Sequence, residues 1–385
     1  MCNCIPFHDV ELHPETLELE ASRLICAVIP EWSTKKLKYE KLTEGLSNFL
    51  LAMFPNGDDE NQSIIVKLYG LNSDLLIDRE QEIRTMAELY KHKFSDQQIL
   101  LKFRNGYFYT YLPGKQMDPK SVRNEHLSSI IVQKLAEFHS LTPKFEFKPS
   151  KQQFTEKLRH YLNILSGKNP QVSQREPASS VGVLSTVKQY LGISERLTLD
   201  KTEDLINYKL SDLERDIEAM EVIFEEKWTL QVIYSHMDTQ SRNFLYDKHT
   251  DQIGMIDFEH CMFNYWLFDL SNYFLEFAGL SASPDFSLYP DRKFQKQVLT
   301  VYLKHAEFFQ HTSLVKDRLN PTDDELEHLC DLSDQLTVPA HLYWSLWALL
   351  QALLNPAATD NFNYVSYGQK RFQQYVKDRQ KFFNT

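Results

Sequence analysis

The stretch from His236 to Glu259 constrains this 385-residue chain more than any other. It reads His-Met-Asp-Thr-Gln-Ser-Arg-Asn, then two apolar runs, Phe244-Leu245-Tyr246 and Ile253-Gly254-Met255-Ile256, around a polar turn from Asp247 to Gln252. Such a pattern predicts a β-hairpin that follows a polar loop. Asn243 follows Asp238 by five positions, which puts a carboxylate and an amide on opposite sides of one turn. The hairpin then returns Asp257 on the neighbouring strand.

An H-x-D-x-x-x-x-N loop followed by an aspartate on the next hairpin is what kinase-like phosphotransferases use to hold a nucleotide-bound metal beside an acceptor hydroxyl. In those terms Asp238 is expected to accept or orient the hydroxyl proton, and Asn243 and Asp257 are expected to bind Mg²⁺. His236 is expected to brace the loop.

The rest of the sequence allows such an enzyme. At this length two lobes are expected, because one core rarely grows past about 250 to 300 residues. A formal net charge of −11 offers no basic surplus to displace phosphate counterions, so a nucleic-acid partner is not expected. The five cysteines, Cys2, Cys4, Cys26, Cys261 and Cys330, form no C-x-x-C pair. With no stretch of roughly 18 apolar residues and no secretory leader pattern, they point to reduced thiols, no membrane span and a cytoplasmic enzyme.

Along the chain, Ala21 to Ile29 has helical character before Pro30. Strand signals follow at Ile64 to Tyr69, Ile99 to Phe103 and Tyr107 to Leu112, the last two joined at Arg104-Asn105-Gly106, where Asn-Gly is expected to supply positive φ. Asp78 to Tyr90 has helical composition and carries Glu82, giving the order strand, helix, hairpin. Pro113-Gly114 ends the strands and reads as a hinge over 113–116, between an N-terminal lobe of residues 1–112 and a C-terminal lobe of 117–385. Beyond it, Leu127, Ile130, Ile131, Leu135 and Phe138 recur at helical spacing after Asn124, a predicted N-cap. Residues 166–182 read as a mobile loop, and Asp212 to Trp228 as an amphipathic acidic helix.

For the nucleotide, two familiar phosphate loops are absent. None of the 11 glycines lies two residues from another, and neither Gly-Lys pair has a glycine five residues earlier. That leaves Thr43-Glu44-Gly45-Leu46-Ser47-Asn48 before the Lys67 strand, where Thr43, Gly45, Ser47 and Asn48 could cradle phosphates; a plain turn is the bland alternative. Lys67 stands alone among apolar neighbours and is expected to pair with Glu82 and face the phosphates, as against a lysine on an edge strand facing water.

Past Asp257 the sequence continues Glu259, then Asn264-Tyr265, then Asp269-Leu270-Ser271-Asn272-Tyr273-Phe274-Leu275-Glu276. This resembles the choline/ethanolamine kinase family, whose signature runs I-D-[FY]-E, N-Y and D-[IL]-x-N-x-F-x-E. Lys67 to Gly70, Leu135 to His139, Ser287 to Arg292, Tyr343 to Gln351 and Tyr367 to Phe372 extend the resemblance over most of the chain. It implies an α+β, bilobal protein-kinase-like fold with a β-rich N-terminal lobe. It also implies transfer of the ATP γ-phosphoryl group, with Mg²⁺, to choline or ethanolamine in phospholipid head-group synthesis. Trp344, Trp347, Tyr367 and Glu276 would then hold the substrate ammonium. Two tryptophans three apart on a helix suit that role, although such a stripe alone is more often core. Gln240 matches choline kinases, whereas Leu75 to Arg79 and Glu276 to Gly279 look like ethanolamine kinases. Met237 stands where the family usually has asparagine, and an insertion near Asn355 to Thr359 separates Trp347 from Tyr367.

Two alternatives share the catalytic loop or the fold. An aminoglycoside- or sugar-type phosphotransferase would want an acidic open cleft instead of the tryptophans. A non-catalytic pseudokinase should have lost Asp238, Asn243, Asp257 or Lys67. A homodimer stays open.

Overall fold

In the computed structural model, residues 5–42, 48–55, 62–147, 149–168, 193–194, 196–197, 210–309, 314–355 and 362–384 are described. Thr43, Gly45 and Ser47, most of the 166–182 loop and most of the insertion after Asn355 lie outside them. The chain separates into two compact units, Met1–Gln116 with Leu245–Glu259, and Met117–Phe244 with His260–Thr385.

The first unit is built on a six-stranded sheet. Its strands are β1 (Phe7–His8), β2 (Leu37–Lys41), β3 (Asn48–Pro55), β4 (Ile64–Tyr69), β5 (Ile99–Phe103) and β6 (Gly106–Thr110), in the order β1-β5-β6-β4-β3-β2. All pairings are antiparallel except β1 with β5. Helix α1 (Leu17–Val28) places Leu17, Ala21 and Ile25 on one stripe, four residues apart, and packs them against Val66, Leu68, Leu101 and Phe108. Its start precedes Ala21 because that stripe begins at Leu17.

Strand side chains alternate between faces, so Ile64, Val66 and Leu68 of β4 join this core while Lys67 points to the opposite face. Helix α2 (Arg79–Lys91), capped by the Asp78 carboxylate on Gln81 N, supplies Glu82 on that side. The β5–β6 turn does contain Asn105-Gly106, but neither residue adopts positive φ. Gly106 is there for space: a Cβ would fall 2.0 Å from the Lys67 carbonyl oxygen. A short strand, β7 (Lys115–Gln116), pairs with Leu245 and Tyr246 of the hairpin that ends at Asp257.

The second unit is mainly helical: α3 (Glu125–His139), α4 (Gln153–Leu165), α5 (Leu210–Glu226), α6 (Trp266–Leu275), α7 (Arg292–His305), α8 (Asp323–Leu354) and α9 (Tyr364–Phe383). Asn124 caps α3 through its side chain, and Thr322 with Glu325 forms a capping box on α8. Residues 336–352 of α8 are buried all round, as expected for a helix surrounded by others, and α9 and α6 pack along it. Val232–Ser235 pairs antiparallel with Met262–Tyr265, fixing the strand that leads into the 236–243 loop. Among the described residues no helix is long and apolar enough to cross a membrane.

Candidate active site

The 236–243 loop is held from below by one side chain. Asp269, at the start of α6 and fully buried, accepts from His236 N at 2.6 Å and Met237 N at 2.9 Å. Its carboxylate also accepts from His139 Nε2 at 2.9 Å, and the far ring nitrogen of His139 lies 2.6 Å from the Tyr302 hydroxyl. Thr239 Oγ1 donates to the Asp269 carbonyl, and Asn272 Nδ2 donates to Met237 O at 3.1 Å. These bonds hold Met237 at φ 69°, a conformation that costs a non-glycine residue of order 1–3 kcal/mol. The kink turns Asp238 out of the strand direction. His236 Nδ1 receives Asp238 N at 3.3 Å, so the histidine contributes to the loop from within.

Asp238 is nearly buried, and its Oδ2 accepts from Asn243 Nδ2 at 2.7 Å and Gln240 Nε2 at 2.9 Å. Asn243 Nδ2 also donates to the Asp238 carbonyl. With its nitrogen so engaged, the amide presents its oxygen as the atom able to ligate a cation. Asp238, Gln240 and Asn243 are thus brought together in the second unit.

In the first unit Lys67, Glu82, Asn48 and Asp257 converge. Lys67 Nζ lies 2.6 Å from Glu82 Oε1, 2.9 Å from Glu259 Oε2 and 3.2 Å from Asp257 Oδ1. Tyr107, opposite Lys67 on β6, donates its hydroxyl to Glu82 at 2.7 Å. Arg79 completes the set: Nη1 reaches Glu82 and Glu259, Nη2 reaches Asn48 and Ser73, and the guanidinium lies 4.4 Å from the centre of the Tyr69 ring. Asn48 Nδ2 donates to Glu259 at 2.9 Å.

Three carboxylates around two cations set the electrostatics. Burial works to lower the Lys67 ammonium, but Asp257, Glu259 and Glu82 outweigh it and hold it well above the usual lysine range. Burial, with Glu259 and Glu82, pushes the Asp257 carboxyl up to about 6 against the pull of Lys67. Its side chain is still 35% exposed, so solvent tempers that rise. Asp257, like Met237, has positive φ, at 63°. One carboxylate oxygen each from Glu82, Asp257 and Glu259 lies within 4.8 Å of the others, a set of hard oxygen donors of the kind Mg²⁺ takes.

The predicted ammonium-binding residues lie in the second unit as a connected aromatic group. Trp344 and Trp347 meet edge to face with ring centres 5.3 Å apart, and Trp347 packs on Tyr364 at 5.7 Å. Phe362 bridges Tyr364 and Tyr367. Trp344 Nε1 donates to Asn272 Oδ1 at 2.8 Å, the same amide that holds Met237 O, so a two-bond relay ties the indole to the 236–243 loop. Glu276 is buried and paired with Arg371 at 2.6 Å, and Arg371 Nε donates to the Tyr367 hydroxyl at 3.0 Å. Burial, with Glu276 and Asp238 adding to it, raises the Tyr367 phenol against the opposing pull of Arg371.

Reading the sequence alone missed the roles of Asp269, His139, Glu259, Arg79 and Arg371. All but Arg79 sit inside quoted family motifs, and Arg79 ends the Leu75 to Arg79 run. The signal available was a charged residue repeated beside apolar ones, with no partner indicated.

A profile described as choline/ethanolamine kinase matches residues 39–376. The chain is 27% identical to a probable ethanolamine kinase of Nematostella vectensis over 380 residues, covering 99% of this chain and 98% of the relative. It is 28% identical to ethanolamine kinase 1 of Homo sapiens over 357 residues, 90% of this chain and 69% of the relative. Among solved structures, an ethanolamine kinase of Plasmodium vivax superposes with a TM-score of 0.71 at 19% identity, covering 97% of this chain and 92% of that one. A choline kinase of Cryptosporidium parvum follows with 0.65 at 19% identity, covering 95% and 96%. These likenesses give the fold as α+β and protein-kinase-like.

Proposed function

The chain belongs to the choline/ethanolamine kinase family and is an alcohol-acceptor kinase, and from that premise we propose that it transfers the γ-phosphoryl group of ATP to the hydroxyl of ethanolamine, choline or both. Phosphoethanolamine or phosphocholine for phospholipid head groups would be the product. The observation that carries the reading is the loop itself: a nearly buried Asp238 carboxylate, oriented by Asn243 and Gln240, on a strained backbone pinned by Asp269.

In this reading Asp238 orients the acceptor hydroxyl and takes its proton as the oxygen begins to bond to phosphorus. Asn243, through its amide oxygen, and Asp257 would hold Mg²⁺, and their hard oxygen donors fit that ion. The bound ion would supply positive charge to the phosphates. Lys67, held by Glu82, would meet the nucleotide phosphates, with Thr43, Gly45, Ser47 and Asn48 assigned to the phosphate loop. Trp344, Trp347, Tyr367 and Glu276 would take the ammonium, each indole face offering roughly 0.5–2 kcal/mol to a cation.

The direct test is phosphoryl transfer from Mg-ATP to ethanolamine and to choline by purified protein, with an aminoglycoside and a sugar as controls. Turnover of either amino alcohol alone is expected. Transfer only to the controls, or ATP binding without transfer to anything, would favour the two alternative readings.

Lys67 gives a second expected result. Lys67→Met should raise the KM for ATP by at least about tenfold while the KM for the amino alcohol changes little, since a charge-assisted contact to phosphate is worth roughly 1.5–3 kcal/mol. Steady-state kinetics with each substrate varied in turn measures both. Parallel changes in the two constants would remove Lys67 from the nucleotide site.

A further inference from the structure

Arg371 is fully buried on α9, four residues after Tyr367 and so on the same helix face. A guanidinium in such a place is costly unless its partners are fixed. It has two: Nη2 meets Glu276 Oε1 at 2.6 Å, and Nε meets the Tyr367 hydroxyl at 3.0 Å. The same group lies 5.1 Å from the Tyr367 ring centre and 5.5 Å from that of Phe286. One rigid fork therefore joins two elements, the segment after α6 that carries Glu276 and the helix that carries Tyr367.

We propose that Arg371 is a positioning residue of the acceptor site, holding the Glu276 carboxylate and the Tyr367 hydroxyl in one arrangement so that Glu276 can attract a substrate ammonium. The inference rests on the reading of Glu276, Tyr367, Trp344 and Trp347 as that site. Two physical consequences support it. Arg371 engages only Oε1 of the carboxylate, which leaves Oε2 for a second cation. Burial raises the Glu276 carboxyl above its ordinary value, and Arg371 limits that rise, pulling toward the ionised form that an ammonium requires. A lysine could supply the charge but not two bonds at fixed angles.

The experiment compares kinetics of Arg371→Met, Arg371→Lys, Glu276→Gln and the double variant Glu276→Gln/Arg371→Met. Arg371→Met is expected to raise the KM for the amino alcohol about tenfold or more, with the KM for ATP within about twofold of the parent. Arg371→Lys should recover part of that loss. Because Arg371 acts partly through Glu276 and partly through Tyr367, the double variant should lose less than the product of the two single losses. If Arg371→Met does not fold, the double variant, which removes both buried charges, keeps the comparison with Glu276→Gln available. An unchanged KM for the amino alcohol in Arg371→Met, or losses that multiply in the double variant, would overturn the proposal. Trp347→Ala separates this from the underlying reading. Should both Trp347→Ala and Glu276→Gln leave the amino-alcohol KM untouched, the acceptor-site assignment falls and the role of Arg371 falls with it. An effect in those two but not in Arg371→Met would sink the Arg371 role alone.

Discussion

Asp238→Asn is expected to lower kcat by about 10³-fold while the protein melts within a few degrees of the parent. The substitution keeps size and shape, so the site should retain its packing. It loses what the proposed role requires there, an anionic oxygen able to orient and receive the hydroxyl proton. General-base contributions of roughly 10²- to 10⁴-fold set the scale. Gln240 and Asn243 both donate to Oδ2 of Asp238, so the amide would also have to turn its oxygen toward them, holding the rotamer in place. Turnover with saturating amino alcohol and Mg-ATP, alongside a melting curve, provides the check. A folded variant retaining more than about a tenth of parental kcat would falsify the role of Asp238.

Asp269→Ala should damage both stability and activity, although Asp269 is placed as a brace and not in the chemistry. The substitution leaves His236 N, Met237 N and His139 Nε2 without their common acceptor in a region with no access to water. Breaking a buried charged network of this kind costs about 3–5 kcal/mol, which for a protein of this size corresponds to roughly 4 to 6 °C in melting temperature. The loop should then relax from the strained φ of Met237, moving Asp238 and lowering kcat by more than about 100-fold even in the fraction that stays folded. Thermal unfolding and single-turnover rates below the melting transition would separate the two effects. A variant that melts like the parent would show that the loop is held by other contacts.

Elements were legible in the sequence where the information was local. The hairpin ending at Asp257, the Asn124 cap and the helix carrying Glu82 all follow from patterns within a few residues. Even there the reason could differ. The Asn105-Gly106 turn occurs where expected, but Gly106 is required by the closeness of the Lys67 carbonyl and not by its torsion. Convergence was less legible. Motif context predicts the Lys67–Glu82 pair, yet no spacing rule shows that Glu259, 192 residues later, shares the same ammonium. Asp269 stands in a quoted motif, and its function depends on where the start of α6 lies relative to the loop, which only tertiary packing decides. Arg371 shows the same limit, because its partner Glu276 lies 95 residues earlier. Charged residues in buried places are set by partners distant in sequence, and that is where pattern reading runs out.

The discontinuity of the first unit also bears on how the protein is made. The chain leaves that unit at Gln116 and re-enters it at Leu245, and the returning segment carries Asp257 and Glu259. A nascent chain ending soon after β6 would have Lys67 and Arg79 with Glu82 as their only carboxylate among the three. At about 5–20 residues per second, the ribosome needs on the order of ten seconds to deliver the other two. During that interval the growing sheet has a surplus of buried positive charge, so its final closure has to wait for a late stretch of the message. Synthesis order thereby makes the polar face of the N-terminal sheet among the last parts of the unit to settle, long after the apolar face beneath α1 has been supplied in full.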